Sequence, residues 1–336
     1  MDTGKRLVTV FGGTGNQGSS VVRSLLAHKD KLFHVRVITR DPTSEKAQAC
    51  AKLGAELVKA DGFNKSETVS AFMGSWGAFV NTNSDEEIYK IPGGRSDYDL
   101  GSTVLDATKE AGVKHVVYSS GLNLCKYTNG RVHSEGFESK YYVEQYGRRK
   151  GFQTFTPIVP ASFMEAFLAE SFCQSLGGFP WFKRDTGEYL LATPPYGGDE
   201  RMPWVSVEDD FGDIVHGIFL DPDSYHLKTI QGSSELISFE KMVEDFMEVT
   251  GEKARYVRLK SWVDIPLDGT SCREEMRAIF HSMYSNGGKW FVPDESEIDT
   301  ATTLKKEAKL AQGVTDGSLT AFKDWIHKQW ERRLPN

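Results

Sequence analysis

Three glycines, Gly12, Gly15 and Gly18, stand three residues apart directly after an apolar run, in the sequence Phe-Gly-Gly-Thr-Gly-Asn-Gln-Gly. Glycines at such a junction of strand and helix allow a tight turn, a close backbone approach to phosphate and close packing of helix on strand. The unpaired N–H groups at the start of the helix also favour an anion. The pattern predicts a dinucleotide pyrophosphate site, made by Gly12, Thr14, Gly15, Asn16, Gln17 and Gly18.

The end of the second apolar segment indicates which dinucleotide would bind. Residues 33–40 read Phe-His-Val-Arg-Val-Ile-Thr-Arg, which is typical of a buried strand. A site specific for NAD carries an acidic residue here, whereas an arginine can bind the 2′-phosphate of NADP. Arg40 therefore favours NADP(H). The alternative is a solvated loop arginine that precedes Asp41 and Pro42.

Polar residues also follow the other predicted strands, at the edge where open parallel sheets bind ligands. Asp61 follows the third strand, where it either meets the adenine or is a plain loop aspartate. Asn81 and Thr82 lie at the end of the fourth strand as cofactor contacts. Ser119 ends the fifth strand, as a cofactor contact or as an ordinary turn residue. The polar residues 85–96 then predict a mobile flap over this edge, with a simple surface loop as the alternative.

These residues require a parallel sheet to position them. Strand and helix patterns alternate up to residue 160, which predicts an α/β Rossmann-type, doubly wound parallel sheet. We expect residues 1–160 to form the cofactor domain, with a return segment near 203–231. Residues 161–336 are expected to form a smaller C-terminal α+β lid or substrate domain. Its aromatic residues are interpreted as an apolar pocket lining, made by Phe163, Phe167, Trp181 and Phe182.

Composition excludes several classes of function. The 336 residues carry 40 Lys and Arg against 47 Asp and Glu, a formal net charge of −7, so direct binding to nucleic acid is not expected. No signal pattern and no apolar stretch long enough to span a membrane is evident, which indicates a soluble cytoplasmic protein that can also be nuclear. The four cysteines lie far apart without C-x-x-C spacing, so neither a metal site nor a disulfide framework is predicted.

The chain resembles the NmrA-like family, a group of atypical short-chain dehydrogenase/reductases. The resemblance rests on the glycine turn and on the segments 35–42, 116–121, 137–146 and 202–208, and it extends over nearly the whole chain. It is greatest to the animal members that act as NADP(H) redox sensors. The resemblance implies a Rossmann fold that binds NADP(H), in a group that contains both regulators and true reductases.

The resemblance also bears on catalysis. Active members of the wider group use a Tyr-x-x-x-Lys pair, in which the lysine holds the nicotinamide ribose and lowers the pKa of the tyrosine. Lys140 matches the lysine, but Gly136 stands in the place of the tyrosine. Lys140 then binds the ribose or moves a proton directly, with an ordinary surface lysine as the alternative. His133 is a second candidate proton donor, with a solvated loop histidine as the alternative. Pro160 and Phe163 match the segment that lies along the nicotinamide in relatives.

Two functions follow from these residues. The missing tyrosine favours an NADP(H) redox sensor or regulator, in which the cofactor orders the glycine turn and residues 85–96 and changes the oligomeric or partner-bound state. Its partner would be a regulatory protein or a second copy in a homodimer. The alternative is an NADPH-dependent reductase of a small apolar or aromatic carbonyl, enone or imine, which uses Lys140.

Overall fold

The computed structural model describes residues 4–91, 93–269 and 271–333, and a parallel sheet lies at its centre. The described strands are β1 (Arg6–Phe11), β2 (Phe33–Thr39), β3 (Glu56–Lys59), β4 (Gly77–Val80), β5 (His115–Ser119), β6 (Thr154–Pro160), β7 (Ser162–Phe163), β8 (Tyr189–Thr193), β9 (Arg201–Val205), β10 (Ile230–Gly232), β11 (Glu235–Ser238) and β12 (Ala254–Arg258). The central sheet has seven strands in the order β10-β6-β5-β4-β1-β2-β3, and every neighbouring pair is parallel. The predicted doubly wound parallel sheet is confirmed.

Helices cover both faces of this sheet. They are α1 (Asn16–Leu26), α2 (Glu45–Lys52), α3 (Lys65–Phe72), α4 (Asp97–Glu110), α5 (Leu124–Tyr127), α6 (Glu135–Gly147), α7 (Glu170–Ser175), α8 (Gly212–Leu220), α9 (Phe239–Thr250), α10 (Ser271–Ser285), α11 (Asp299–Gln312) and α12 (Phe322–Arg333). Helices α3, α4 and α6 pack together over one apolar cluster, and α1, α8 and α11 over the other. Burial on both faces explains why the central strands are apolar almost throughout. None of the described helices is long and apolar enough to cross a bilayer.

The chain after residue 160 contributes to two layers. Strand β10 pairs with β6 at the edge of the central sheet, while α8 packs on α1 and on α11. The segment 203–231 contains α8 and the first two residues of β10. Strands β11, β9 and β7 form a separate sheet, and β8 pairs with β12. These two small sheets and helices α7, α9, α10 and α12 make up the rest of the described C-terminal part.

A buried carboxylate joins the end of the chain to this framework. Asp210 is fully buried, and its two oxygens accept hydrogen bonds from Lys305 Nζ and Ser234 Oγ. The backbone N–H and the hydroxyl of Thr320 donate to the same carboxylate at 2.9 and 2.8 Å. A buried charge is tolerated only when it is paired and hydrogen-bonded. These contacts therefore hold four segments together, which lie before α8, after β10, in α11 and before α12.

The predicted aromatic pocket is wrong for Phe167. Its side chain is fully buried, and its ring packs against Phe179, Trp204 and Trp325. Trp181 stacks on Trp330 and donates a hydrogen bond to the carbonyl of Phe167. A cluster of aromatic residues in the sequence predicts burial equally well in a core and in a pocket. Here Phe167 belongs to the core between α7 and α12, whereas Phe163, Trp181 and Phe182 are partly exposed.

Candidate functional site

The glycine turn between β1 and α1 is shaped by two close approaches. Gly12 has a φ of +81°, and a Cβ atom there would lie 2.4 Å from the carbonyl oxygen of Asn81. A Cβ atom on Gly18 would lie 2.2 Å from the carbonyl oxygen of Gly12. Gly15 is exposed, and a Cβ atom there would lie 3.4 Å from the carbonyl oxygen of Gly12, an ordinary van der Waals distance. Gly12 and Gly18 are therefore needed for the turn to pack, whereas the exposed Gly15 position has room for a Cβ atom.

The first turn of α1 fits an anion. Gly15 is its N-cap and offers no side-chain hydrogen bond, and the first turn contains no acidic residue. Asn16 is exposed and Thr14 is partly exposed at this end of the helix. The N–H groups of the turn and the helix dipole can therefore meet a pyrophosphate without a competing side chain.

Gln17 and Ser119 connect the start of α1 with the end of β5. The hydroxyl of Ser119 donates a hydrogen bond of 2.6 Å to Gln17 Oε1, and both side chains are buried. The pair fixes the position of the helix terminus relative to the neighbouring strand. In this arrangement both residues position the phosphate site rather than line its surface.

Arg40 lies at the carboxyl end of β2 and is occupied by an ion pair. Its guanidinium donates to both carboxylate oxygens of Glu86, at 3.1 and 2.8 Å, although 69% of the Arg40 side chain is exposed. The Arg40 guanidinium lowers the pKa of Glu86. Glu86 precedes a short 3-10 helix, Glu87–Lys90, in the predicted flap. The structure thus brings the predicted phosphate-binding arginine to the predicted flap, whose Pro92 lies outside the described residues.

Asp61 has a local role at the end of β3. Its carboxylate accepts a hydrogen bond of 3.0 Å from the N–H of Phe63, and its own N–H donates to Glu67 at 3.1 Å. The side chain is exposed, and its negative charge contributes to the raised pKa of Arg40, behind the larger effect of Glu86. The geometry favours a turn residue near Arg40 over an adenine contact.

Lys140 is held at the end of β4 by three acceptors. Its Nζ donates to Asn81 Oδ1 at 3.1 Å, to the carbonyl of Thr82 at 2.7 Å and to Thr82 Oγ1 at 3.0 Å. Burial lowers the pKa of its ammonium group, against the opposing charges of Asp97 and Asp85. The sequence candidates Asn81, Thr82 and Lys140 therefore form one cluster. A lysine with fixed orientation and a lowered pKa can hold a hydroxyl group or transfer a proton.

A side chain at position 136, where the tyrosine is missing, would have to displace Ser84 slightly. A Cβ atom on Gly136 would lie 3.1 Å from the Cβ atom of Ser84, whose hydroxyl donates to Asp97 at 2.8 Å. Among the described side chains, Lys140 Nζ hydrogen-bonds with Asn81 and Thr82 alone. Within the described part of the chain, no tyrosine hydroxyl hydrogen-bonds this ammonium group.

His133 lies in the loop before α6, away from the Lys140 cluster's hydrogen bonds. Its Nε2 atom is 3.7 Å from Cys125 Sγ, and its Nδ1 atom is 3.6 Å from Glu138 Oε2. Cys125 and Glu138 were missed in the sequence, because spacings of eight and five residues match no regular ligand motif. The three side chains come together only because α5 and the start of α6 are adjacent.

Pro160 and Phe163 lie where β6 passes into β7. The carbonyl of Pro160 accepts a hydrogen bond of 3.2 Å from Trp290 Nε1, and both Pro160 and Phe163 are partly exposed. Trp290 had no sequence signal, since it is separated from Pro160 by 130 residues. The two predicted contact residues therefore lie at the sheet edge, beside a tryptophan from the C-terminal part.

Comparisons with known proteins agree with this fold. The model of the NmrA-like family matches residues 4–316. An NmrA-like family domain-containing oxidoreductase of Aspergillus flavus, lnaB, is 44% identical over 330 residues, which cover 97% of this chain and 98% of the relative. A second oxidoreductase of the same description, FrzB of a Cladobotryum species, is 46% identical over 312 residues, which cover 91% of this chain and 92% of the relative.

Solved structures show the same architecture at lower identity. The negative transcriptional regulator NmrA, solved in complex with NADP, has a TM-score of 0.75 at 20% identity, with 99% of each chain covered. The triphenylmethane reductase of a Citrobacter species, complexed with NADP(H), has a TM-score of 0.67 at 19% identity, covering 96% of this chain and 99% of that chain. The family model spans most of the sequence and the relatives match it almost from end to end, so the chain belongs to the NmrA-like family.

Proposed function

We propose that the protein binds NADP(H) and acts as an NADPH-dependent oxidoreductase on a small apolar or aromatic carbonyl, enone or imine. The observation that carries the proposal is the fixed Lys140 ammonium at the carboxyl edge of the sheet that also presents the open N-terminus of α1. The curated relatives that match the chain at 44% and 46% identity are named oxidoreductases, which supports the same class of activity.

The cofactor would lie across the carboxyl ends of the strands. The first turn of α1, with the exposed Gly15 as its N-cap, would hold the pyrophosphate. Arg40 would bind the 2′-phosphate once it leaves Glu86, because a phosphate offers it the same bidentate geometry with more charge. Lys140, Asn81 and Thr82 lie at β4 and would meet the nicotinamide ribose.

When bound, the reduced cofactor supplies a hydride to the substrate carbon. The substrate oxygen or nitrogen then needs a proton, and Gly136 leaves no phenol to provide it. Lys140 Nζ carries three protons, and burial lowers its pKa, so it can give one of them up more readily than an exposed lysine. Asn81 and Thr82 keep the group oriented while it binds or transfers that proton.

Transfer of deuterium tests the proposal. NADPH deuterated at the transferred position is mixed with a panel of enones, cyclic imines and aromatic aldehydes, and the products are analysed by mass spectrometry. We expect deuterium in one substrate class and a loss of turnover of about a hundredfold or more in Lys140→Met, the scale of general acid catalysis. Lys52→Met, an exposed lysine at the far end of α2, is the matched control. Unchanged turnover in Lys140→Met would contradict the role of the lysine, and no deuterium transfer to any class would contradict the activity.

A regulatory role is the second candidate, and the ion pair between Arg40 and Glu86 is the observation that favours it. The Arg40–Glu86 pair reverses the expectation from the sequence that the cofactor orders residues 85–96. A 2′-phosphate that binds Arg40 would release Glu86 and the residues that follow it, and so change the surface offered to a regulatory protein or to a second copy. Hydrogen exchange and light scattering, with NADPH, NADP+ and NADH in turn, test this role. We expect faster hydrogen exchange in residues 85–91 only with NADPH and NADP+, the two cofactors that carry a 2′-phosphate. Equal exchange and equal mass in all states would refute a regulatory role.

A further inference from the structure

We propose that Cys125, His133 and Glu138 form a binding site for a single divalent transition-metal ion of the zinc type. The three ligand atoms, one from each side chain, all lie within 4.8 Å of one another. Thiolate, imidazole and carboxylate groups are the ligands that zinc uses in proteins. The site lies outside the Lys140 cluster and has no part in the proposed hydride transfer.

The distances fit such an ion. A tetrahedral site with bonds of about 2.3 Å to sulfur and about 2.0 Å to nitrogen separates these two atoms by about 3.5 Å. Cys125 Sγ and His133 Nε2 are 3.7 Å apart. The carboxylate oxygen of Glu138 lies 3.6 Å from the other ring nitrogen, and the His133 side chain is 65% exposed. One nitrogen of this exposed ring lies within 4.8 Å of both the sulfur and a carboxylate oxygen, so a change in the orientation of the ring brings the three atoms around one centre.

The carboxylate is already oriented for this task. Glu138 Oε1 accepts hydrogen bonds from the backbone N–H groups of Cys125 and Ser134, at 3.3 and 3.1 Å. Its other oxygen, Oε2, faces His133 and is left for the ion. Fixed orientation of a ligand by the atoms behind it is a common feature of protein metal sites. Only 15% of the Glu138 side chain is exposed, so the carboxylate has little freedom to turn away.

The ion would have one open position. Three protein ligands and an exposed histidine leave the fourth position of a tetrahedral zinc ion to water or to a ligand. The ion would also connect three segments: α5 through Cys125, the loop before α6 through His133, and α6 itself through Glu138. Lys140 is two residues further along α6, so the metal would restrain the helix that carries this lysine.

Cobalt titration is the direct test. Protein treated with a chelator and then dialysed is titrated with Co²⁺, and the near-ultraviolet charge-transfer absorption of a cobalt thiolate is followed. We expect one equivalent of Co²⁺ per chain, displaced by Zn²⁺, and a melting temperature that rises with Zn²⁺ because the ion binds only the folded state. Cys125→Ser should abolish the band and weaken Zn²⁺ binding at least tenfold. Cys272→Ser, a second partly exposed cysteine, is the matched control and should leave both unchanged.

A second variant keeps the test decisive if Cys125→Ser is unstable. His133→Gln replaces an exposed side chain, and it should weaken Zn²⁺ binding by a similar factor while circular dichroism stays as in the wild type. The proposal is overturned if no stoichiometric Co²⁺ or Zn²⁺ binding is found. It is equally overturned if both variants bind as the wild type does, which would mean an adventitious ion only.

Discussion

Replacing Glu86 by glutamine should increase the preference of the protein for NADPH over NADH. In the structure the Glu86 carboxylate holds both terminal nitrogens of Arg40, so a 2′-phosphate has to displace it before it can bind. Glutamine keeps the size of the side chain but removes the charge and one acceptor. NADH carries no 2′-phosphate and does not compete for Arg40, so its affinity should stay the same.

The size of the effect follows from the exposure of the pair. Exposed ion pairs contribute about 0.2 to 1 kcal/mol, and bidentate arginine–carboxylate pairs lie at the upper end. The Arg40 side chain is 69% exposed and that of Glu86 is 24% exposed, so about 1 kcal/mol is appropriate. Since 1.4 kcal/mol corresponds to tenfold in affinity, Glu86→Gln should strengthen NADPH binding by about fivefold. The gain should shrink at high salt, where both the pair and the phosphate contact are screened.

Isothermal titration calorimetry with NADPH and NADH on the wild type and four variants measures this effect. Arg40→Ala should lose about tenfold in NADPH affinity, and the double variant Arg40→Ala/Glu86→Gln should gain nothing over it. Glu87→Gln is the matched control, because this adjacent glutamate pairs with Lys90 instead. An equal gain for NADPH and NADH in Glu86→Gln, or a gain that persists without Arg40, would refute the reasoning.

Three further predictions concern the turn, the core and the flap. Gly15→Ala should melt as the wild type does, because its Cβ atom would lie 3.4 Å from the nearest atom, yet it should bind NADPH at least about tenfold more weakly by calorimetry, since it adds a methyl group at the exposed N-cap where the pyrophosphate is proposed to bind. Gly18→Ala should lose about 1 to 3 kcal/mol of stability, because its Cβ atom would lie 2.2 Å from the Gly12 carbonyl oxygen. Burial lowers the pKa of His216 to about 4, so the unfolded state binds a proton first and the free energy of unfolding should fall by about 2 kcal/mol from about pH 7.5 to about pH 5. Urea titrations should show a flatter dependence in His216→Phe, and an identical slope would exclude this group as the cause. Ser96→Ala removes the capping box of α4 and should cost about 1 kcal/mol in the same assay, whereas an unchanged midpoint would mean that the cap contributes nothing.

The sequence alone was sufficient to predict the features that depend on residues close together in the chain. The glycine spacing predicted the turn because φ and close packing at Gly12 and Gly18 depend on neighbours within a few residues and one adjacent strand. The order of strands and helices followed from apolar runs that a parallel sheet requires on both faces. The family prediction is confirmed for the same reason, since its motifs are these local segments.

The remaining features depend on distant pairs. Nothing in the residues around Arg40 indicates that Glu86, 46 positions away, holds its guanidinium. Strand β10 has three residues and no periodicity to identify it, yet it completes the edge of the sheet. Phe167 was assigned to the wrong environment. Its aromatic pattern was interpreted as a pocket lining, but its ring lies in the core. A single sequence gives residue types and local spacing, but it does not show which distant residues come into contact in the folded chain.

The buried Asp210 has a consequence for the order in which the protein can fold as it leaves the ribosome. Its carboxylate lies before α8, but its partners Lys305 and Thr320 are made about a hundred residues later. Until they emerge, the charge must stay hydrated, so the segment around it cannot close against α1. Domains generally fold as units from the N-terminus during synthesis. In this chain, complete folding of the N-terminal part would instead be delayed, with the glycine turn and the sheet only partly assembled, until the residues just before the last helix have been synthesised.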